Sequence, residues 1–246
     1  CHPTYVSDLM KKKTLSVKQI NELLGRLQGD KKLLYDKKYM EQLYLEYQEN
    51  DIDDTLAVQA LKELFGSRKL LLLGTGDSVT EQEELLKNFI NENNPIVISM
   101  NYIPDNISPD MIFLSNSKKY VQIASKLSRH QGEYKIIATS NVTKTSGEFD
   151  YTVRYKDVLD TEENAIPDVA FAVLLKTMEK VGVKEVYLGG IDGFNETHNG
   201  IYLDDEERCD YGIKHTDELN EYVNHMMQRM NKTIKLNLLT KSIYTL

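Results

Sequence analysis

The sequence predicts an α/β protein, with a Rossmann-like open, mostly parallel sheet covered by helices on both faces and preceded by a small all-α connector. From Lys69 onward, short apolar runs alternate with stretches of helical periodicity, which is the pattern of successive β-α-β units. The run at residues 70–73 is entirely apolar and closes in a Gly-x-Gly turn, as a buried parallel strand does. Residues 1–68 show helical periodicity alone. We therefore divide the chain into a connector at 1–68 and a Rossmann-like domain at 69–246.

Three short amphipathic helices are predicted in the connector. The first covers about residues 16–28 and the second about residues 37–48. The third begins after a cap at Asp53 or Asp54 and ends at Gly66. We expect five apolar side chains of this third helix to face inward: Leu56, Ala57, Ala60, Leu61 and Leu64.

Seven strands and four helices are predicted in the Rossmann-like domain. The strands cover residues 70–73, 96–100, 111–115, 135–139, 151–153, 186–188 and 234–238. The helices cover residues 80–91, 117–127, 167–181 and 217–230, and a capping box of Thr80 with Glu83 predicts the start of the first. Right-handed crossovers place the carboxyl ends of parallel strands along one edge, with a ligand crevice where the strand order reverses.

Composition limits the class of protein and its compartment. The 246 residues include 38 acids and 30 bases, and the net charge of −8 disfavours nucleic acid or an anionic membrane as a partner. No apolar run approaches the roughly 20 residues of a membrane helix, and no signal peptide is recognised. Two cysteines without a Cys-x-x-Cys motif exclude a zinc site built from thiolates. We expect a cytoplasmic protein.

The turn after the first strand, Gly74-Thr75-Gly76-Asp77-Ser78, is a candidate ligand site. N–H groups and the positive end of a helix dipole meet at such a turn, which suits a phosphate or a carboxylate. The turn lacks the third glycine of the dinucleotide fingerprint and the Lys-Ser/Thr of a P-loop. A plain strand-to-helix turn is therefore the alternative interpretation.

Small polar residues and glycines follow five of the predicted strands. Because carboxyl ends of parallel strands meet at one edge, we expect these residues to form one ligand site. Neutral amides without clustered Lys or Arg suit a nucleoside or a sugar better than a triphosphate. The candidate site residues are Gly74, Thr75, Gly76, Ser78, Asn101, Ser115, Asn116, Ser140, Gly190 and Asp192. Two roles are open for the Asp192 carboxylate, because it can accept hydrogen bonds from turn N–H groups or from ligand hydroxyls.

Three segments of the connector carry a resemblance to a known family: Cys1-His2-Pro3-Thr4-Tyr5-Val6, Thr14-Leu15-Ser16 and Gln42-Leu43-Tyr44-Leu45-Glu46-Tyr47. They are similar to the segment that follows the TIM barrel in aldolases related to 4-hydroxy-2-oxovalerate aldolase and HMG-CoA lyase. The resemblance implies a parent chain with an N-terminal aldolase barrel, in which an Asp and a His-x-His hold a divalent metal. This sequence has no His-x-His and no initiator methionine. A piece cut from a longer protein and a processed mature protein both fit that start.

A second resemblance covers nearly all of residues 69–246. It is carried by Gly74-Thr75-Gly76-Asp77-Ser78, Met100-Asn101 and residues 113–117, 136–141 and 183–192. In order and spacing these segments are similar to bacterial sialyltransferases that use CMP-sialic acid, and to related proteins with a Gly-x-Gly-Pro-Ser loop. The resemblance implies that Gly74, Gly76, Ser78 and Asn101 hold a nucleotide, with CMP or a CMP-sugar as the ligand.

This sequence departs from that family at three places. Asp77 stands where the family has proline, and Ser115 stands where an asparagine is expected, with Asn116 one position later. The family places a catalytic histidine in the segment that corresponds to residues 157–166, which contains none here. That segment offers carboxylates instead, and a carboxylate can serve as a base. They are Asp160, Glu162 and Glu163.

Residues 195–215 form a long predicted loop that contains His198, His215 and four consecutive acids at residues 204–207. A metal site is one interpretation, but consecutive acids rarely converge on one ion, so we interpret the loop as a lid or an interface. His130 and His225 are predicted at the surface. Three methionines in the last helix are predicted to fill a core or an interface: Met226, Met227 and Met230.

Three functions fit these patterns. The first is a C-terminal accessory domain of a metal-dependent pyruvate-type aldolase that binds a nucleotide or nucleotide-sugar. Its partners would be that small molecule and the N-terminal aldolase barrel, with no catalytic residue, cofactor or metal in this chain and no activity of the fragment alone. The second is a glycosyltransferase of the sialyltransferase type acting on a CMP-sugar. The third is a structural module that pairs subunits in a homo-oligomer.

Overall fold

The computed structural model describes residues 52–130, 132–142, 149–162, 165–166, 169–195 and 216–246. The first two predicted helices lie outside the described residues. So do Glu163 and the part of the long loop that contains His198, His215 and the four acids.

The described residues form one seven-stranded sheet, and the predicted Rossmann-like open α/β fold is confirmed. The strands are β1 Leu70–Leu73, β2 Ile96–Met100, β3 Met111–Leu114, β4 Lys135–Thr139, β5 Tyr151–Val153, β6 Glu185–Gly189 and β7 Lys235–Leu238. The helices are α1 Thr55–Phe65, α2 Ser78–Glu81, α3 Glu83–Asn93, α4 Ser117–Arg129, α5 Ala170–Val181 and α6 Thr216–Met230, with a 3-10 turn at Tyr155–Val158. The strand order is β5-β4-β3-β2-β1-β6-β7, and every pairing is parallel.

The two faces of the sheet pack against different helices. Leu70 and Leu72 of β1 belong to one large buried cluster, to which α1, α5 and α6 contribute. Leu71 and Leu73 pack on the other side, against the buried side chain of Leu86 in α3. Because successive residues of a strand face opposite sides, a strand covered on both faces must be apolar at every position. This is why the run of four leucines is continuous.

The inward face predicted for α1 is partly wrong. Leu56 is 85% exposed and Ala60 is also exposed, whereas Leu61 and Phe65 are buried. The helix packs against β5 and α5, and that contact selects the stripe of Leu61 and Phe65. Two apolar stripes run side by side in this helix, and the sequence alone does not distinguish which one meets a neighbour. The domain boundary near residue 68 stays a prediction.

The helix predicted over residues 80–91 is two helices, and the predicted capping box does not form. α2 already begins at Ser78, so Thr80 lies inside it. The N-cap of α3 is Gln82, which makes no side-chain capping hydrogen bond. A carboxylate from a distant part of the chain, Asp192, accepts a hydrogen bond from the Ser78 N–H. This bond stabilises an earlier helix start than the local sequence predicts.

Several smaller predictions hold in the described residues. His130 and His225 are exposed, and the three methionines of α6 are buried in the large cluster. Gly66 ends α1 with a φ of +47°, and its N–H donates to the Lys62 carbonyl at 3.0 Å. None of the helices that the structure describes is long and apolar enough to cross a membrane.

Candidate ligand site at the carboxyl edge of the sheet

The strand order reverses at β1. The chain adds β2 to β5 on one side of β1, and then returns to add β6 and β7 on the other side. The connections after β1 and β6 therefore leave the sheet in different directions, and open parallel sheets bind ligands at the carboxyl ends of strands where this occurs. The β1/β6 pair is the switch point of this fold.

The loops after β1 and β6 are joined directly. The Gly74 N–H donates to the Gly189 carbonyl at 2.8 Å, and the Gly76 N–H donates to the Gly190 carbonyl at 2.9 Å. Glycine is needed here, because a Cβ on Gly74 would lie 2.4 Å from the Gly190 oxygen. A Cβ on Gly76 would lie 2.4 Å from Cγ of Asp192. At these residues the two loops touch, which leaves no room for a ligand between them.

Asp192 connects the β6 loop to the start of α2. Its Oδ2 accepts a hydrogen bond from the Ser78 N–H at 2.8 Å, and its Oδ1 accepts one from the Ser78 hydroxyl. The Ser78 and Thr240 hydroxyls lie 2.8 Å apart, and the Thr240 oxygen also accepts from the Gly190 N–H at 2.9 Å. A hydroxyl has only one hydrogen to donate, and Ser78 donates it in the hydrogen bond to Asp192. In the contact between the two hydroxyls, Thr240 is therefore the donor and the Ser78 oxygen is the acceptor. We call these residues the Ser78–Asp192–Thr240 network.

These contacts correspond to the first of the two roles considered for Asp192, acceptance of hydrogen bonds from turn N–H groups. The partner is not local, however, because Ser78 lies 114 positions earlier in the chain. Thr240 is not among the site residues predicted from the sequence. The signal that could have indicated it is its position shortly after the last strand, which matches the placement of the other small polar residues.

The charges beside this network are mostly negative. Lys241 forms an ion pair with Glu81 and is the only cation among the described residues 74–81 and 239–243. The hydrogen bond from Glu81 raises the pKa of Lys241, and the nearby charges of Asp192 and Asp77 act in the same direction. This part of the edge therefore combines three carboxylates with one ammonium group.

A second group of candidate residues connects the ends of β2, β3 and β4. The Asn101 Oδ1 accepts from the Ser115 N–H at 3.0 Å, and the Asn101 Nδ2 donates to the Ser115 Oγ at 3.3 Å. The Asn141 Nδ2 donates to the Ser115 carbonyl at 3.0 Å. All three residues are buried. Asn101 has a φ of +62°, a left-handed conformation that asparagine tolerates better than most residues. These side chains extend the hydrogen bonding of the sheet beyond its strands.

Ser140 and Asn116 hold neighbouring segments at the same edge. The Ser140 Oγ accepts from the Tyr155 N–H at 3.0 Å and so connects β4 to the 3-10 turn. The Asn116 Oδ1 accepts from the Lys119 N–H at 3.3 Å, which is the bond of an N-cap at the start of α4. Asn116 is half-buried, whereas Ser140 is buried.

Tyr102 connects the two groups of candidate residues. Its hydroxyl donates to the Gly74 carbonyl at 2.6 Å, and its ring is buried. The Ser99 Oγ donates to the Tyr102 carbonyl at 2.8 Å, which fixes the loop that follows β2. Tyr102 directly follows Asn101 but is not among the site residues predicted from the sequence. The β1 turn is therefore held from both sides, by the β6 loop and by the β2 loop.

Two backbone donors at the β1 turn have no acceptor in the part of the chain that the structure describes. They are the N–H groups of Thr75 and Asp77, and both residues are half-exposed. The described residues 74–78, 101–104, 115–116 and 140–142 contain no Lys or Arg. Besides these two N–H groups, the half-buried side chains of Thr75 and Asn116 lie at this edge, so a ligand would meet polar groups and no Lys or Arg among these residues.

Asp160, considered above as a base, is an ion-paired carboxylate. Its side chain is 3% exposed, and its Oδ2 accepts from Arg229 at 2.6 Å and from the Tyr222 hydroxyl at 2.9 Å. Burial raises the pKa of Tyr222, and the Asp160 charge raises it further. Both partners lie on α6, so Asp160 fastens the segment after β5 to that helix. Glu162 is exposed.

The residues that the structure describes include no group of three His, Cys, Asp or Glu side chains close enough to hold a metal ion. Fold and site together define an open Rossmann-like α/β domain with small polar residues at the carboxyl ends of β1 to β4. No family model matches this sequence, and a search of curated proteins found no match. The chemistry of this edge is therefore the basis for assigning a function.

Proposed function

We propose that residues 69–246 bind a nucleotide or a nucleotide-sugar at the carboxyl ends of β1 to β4, with CMP or a CMP-sugar as the first candidate. One observation carries the proposal. The buried amides and hydroxyls of these strand ends are fixed by internal hydrogen bonds, next to the N–H groups of Thr75 and Asp77, which lack an acceptor among the described residues. Donors that are already ordered lose little conformational entropy when a ligand binds.

The roles of the candidate residues follow from their contacts. Ser78, Asn101, Ser115 and Ser140 are buried and bonded within the protein, so we assign them to shaping the site. Contacts with the ligand fall to groups nearer the surface. These groups are the N–H of Thr75, the N–H of Asp77 and the half-buried side chains of Thr75 and Asn116.

Thermal unfolding with a panel of nucleotides tests the proposal. CMP or a CMP-sugar should raise the Tm of the chain, because a ligand that binds only the folded state stabilises it by about 2.7 kcal/mol at one hundred times its Kd. Thr75→Ala should weaken binding several-fold at unchanged Tm. Thr80→Ala is the matched control, since Thr80 is exposed in α2.

The absence of a shift with every nucleotide at millimolar concentration would contradict the binding proposal. Release of CMP from a bound CMP-sugar would indicate a glycosyltransferase instead. Asp160 is a poor candidate for the base of such a reaction, because its carboxylate is buried and paired with Arg229.

We propose in addition that this domain serves a metal-dependent pyruvate-type aldolase, as the resemblance of residues 1–68 implies. The chain itself should release no pyruvate from a 4-hydroxy-2-oxo acid with Mg²⁺ or Mn²⁺, because a catalytic metal needs about three protein ligands and an open position. A coupled lactate dehydrogenase assay measures this. Metal-dependent pyruvate release by the pure chain would place the aldolase site within these residues and refute the accessory role.

A further inference from the structure

We propose that α1 carries an interaction surface for the chain that precedes it, and that residues 37–48 cover this surface as an antiparallel helix. The segment before α1 is then an arm fixed to the α/β domain rather than a free linker. The surface lies on the side of α1 that faces away from β5 and α5.

The helix α1 has more apolar surface than the sheet and α5 cover. Its contact with them buries Leu61 and Phe65. Leu56 is nevertheless 85% exposed, the highest value among the large apolar side chains of the described residues, and Ala60 is also exposed. Residues four positions apart lie on the same side of a helix, so these two form one uncovered strip, which half-buried Leu64 continues. We call it the Leu56–Ala60 strip, and covering it would remove apolar surface from water.

The sequence directly before α1 has the position and the length to cover this strip. Residues 37–48 are joined to α1 by the six residues 49–54, and neighbouring helices are commonly joined by about two to eight residues. A helix over residues 37–48 would be about 18 Å long, and the 11 residues of α1 span about 16 Å. Such a pair would cover the strip from end to end.

The side chains of this segment complement the strip in size. An antiparallel pair with this connection places Leu43 opposite Ala60 and Tyr47 opposite Leu56. Facing positions of packed helices alternate large and small side chains, so the small side chain of Ala60 leaves room for a large one. Large side chains recur in the segment at the spacing of one helical face: Met40, Leu43, Tyr44 and Tyr47.

The charges fit the antiparallel direction. Lys37 and Lys38 begin the segment and would lie near the carboxyl end of α1, where the helix dipole is negative. Glu63 is exposed at that end and borders the strip. Glu46 and Glu49 would lie near the amino end of α1, where the dipole is positive. An arrangement with the two helices parallel would reverse these pairings and would need a much longer connection.

Cross-linking of the full chain tests the proposal, in a background where Cys1→Ser and Cys209→Ser remove the native thiols. Under mild oxidation, Ala60→Cys with Leu43→Cys should form a disulfide within one chain, because facing helices bring the two Cα atoms within the roughly 4.4–6.8 Å that a disulfide needs. Lys62→Cys with Leu43→Cys is the matched control, since Lys62 is exposed on the opposite side of α1. The intrachain product should form about tenfold more slowly in the control. Intact mass and thiol counting measure it.

Thermal unfolding of the full chain gives an independent measurement. Leu56→Ser should lower the Tm by about 5 °C if the strip is covered, because a buried leucine is lost. Gln59→Ser is the control, since Gln59 is exposed in the same helix outside the strip, and its Tm should change by less than about 2 °C.

Three results would overturn the proposal. A disulfide between two chains would show that a second copy covers the strip. Equal cross-linking in the two double-cysteine variants would show that residue 43 has no fixed neighbour on α1. Equal Tm values for Leu56→Ser and Gln59→Ser would show that the strip is bare, and this comparison decides alone if the cysteine variants do not fold.

Discussion

Replacing Gly74 by alanine should lower the free energy of unfolding by about 3–5 kcal/mol, from overpacking and from lost hydrogen bonds. The added Cβ would lie 2.4 Å from the Gly190 oxygen, which is backbone and has little freedom to move away. The loops after β1 and β6 must then separate, which breaks the bonds from Gly74 and Gly76 to the β6 loop. Urea unfolding followed by circular dichroism measures the change.

Gly182→Ala is the matched control for this substitution. Gly182 ends α5 with a φ of +90°, and no heavy atom lies within 4 Å of an added Cβ. Its cost should therefore be the backbone term alone, roughly 1–2 kcal/mol. Gly74→Ala should also abolish any CMP-induced shift in Tm, and Gly182→Ala should preserve it. Equal stability losses in the two variants would mean that the joint between the β1 and β6 loops is not rigid in solution.

Arg229→Met should destabilise the protein by about 2–4 kcal/mol, because it leaves the Asp160 carboxylate buried without its cationic partner. We place the effect below that of a fully buried pair, since the Arg229 side chain is 35% exposed. The Tyr222 hydroxyl continues to donate to Asp160 but carries no charge. Urea unfolding at neutral pH measures the loss.

A double variant shows whether the uncompensated charge is the cause. Asp160→Asn combined with Arg229→Met removes both charges. The double variant should therefore have a higher free energy of unfolding than Arg229→Met alone. Lys235→Met is the control for a surface pair, because the Lys235–Glu185 pair is exposed and should contribute less than about 1 kcal/mol. If Arg229→Met costs no more than Lys235→Met, the buried charge is not stabilised by Arg229.

The strands of this protein can be predicted from short stretches of sequence. β1, β2, β4 and β5 have the predicted bounds, β3 and β7 are each one residue shorter than predicted, and β6 is one residue longer at both ends. A strand that is buried on both faces needs apolar side chains at successive positions. A run such as Leu70–Leu73 can therefore be recognised as a strand without knowing which strands lie beside it in the sheet. Because each apolar run ends where its strand ends, small polar residues such as Asn101 and Ser140 are recognised as the first residues beyond the strands.

The first residue of a helix and the face that it buries are harder to predict from the sequence, because contacts with residues distant in the chain select them. Thr80 and Glu83 have the spacing of a capping box, but the bond from Ser78 to Asp192 begins the helix earlier. Leu56 has the spacing of a core residue in α1, but the contact with β5 and α5 uses the stripe of Leu61 and Phe65. In both cases a tertiary contact decides, and at Thr80 it outweighs a local capping preference of about 1 kcal/mol.

The sequence by itself determined the α/β class, the strands and the chemistry of the residues that follow them, because these depend on local periodicity and on residue type. Only the tertiary structure decided which of those residues meet. It brings Asp192 to Ser78 and Thr240, and Asn101 to Ser115, through a strand order that places β6 beside β1 and β3 beside β2. Strand order follows from the packing of the whole chain around two faces of the sheet, and no local stretch of sequence contains that information.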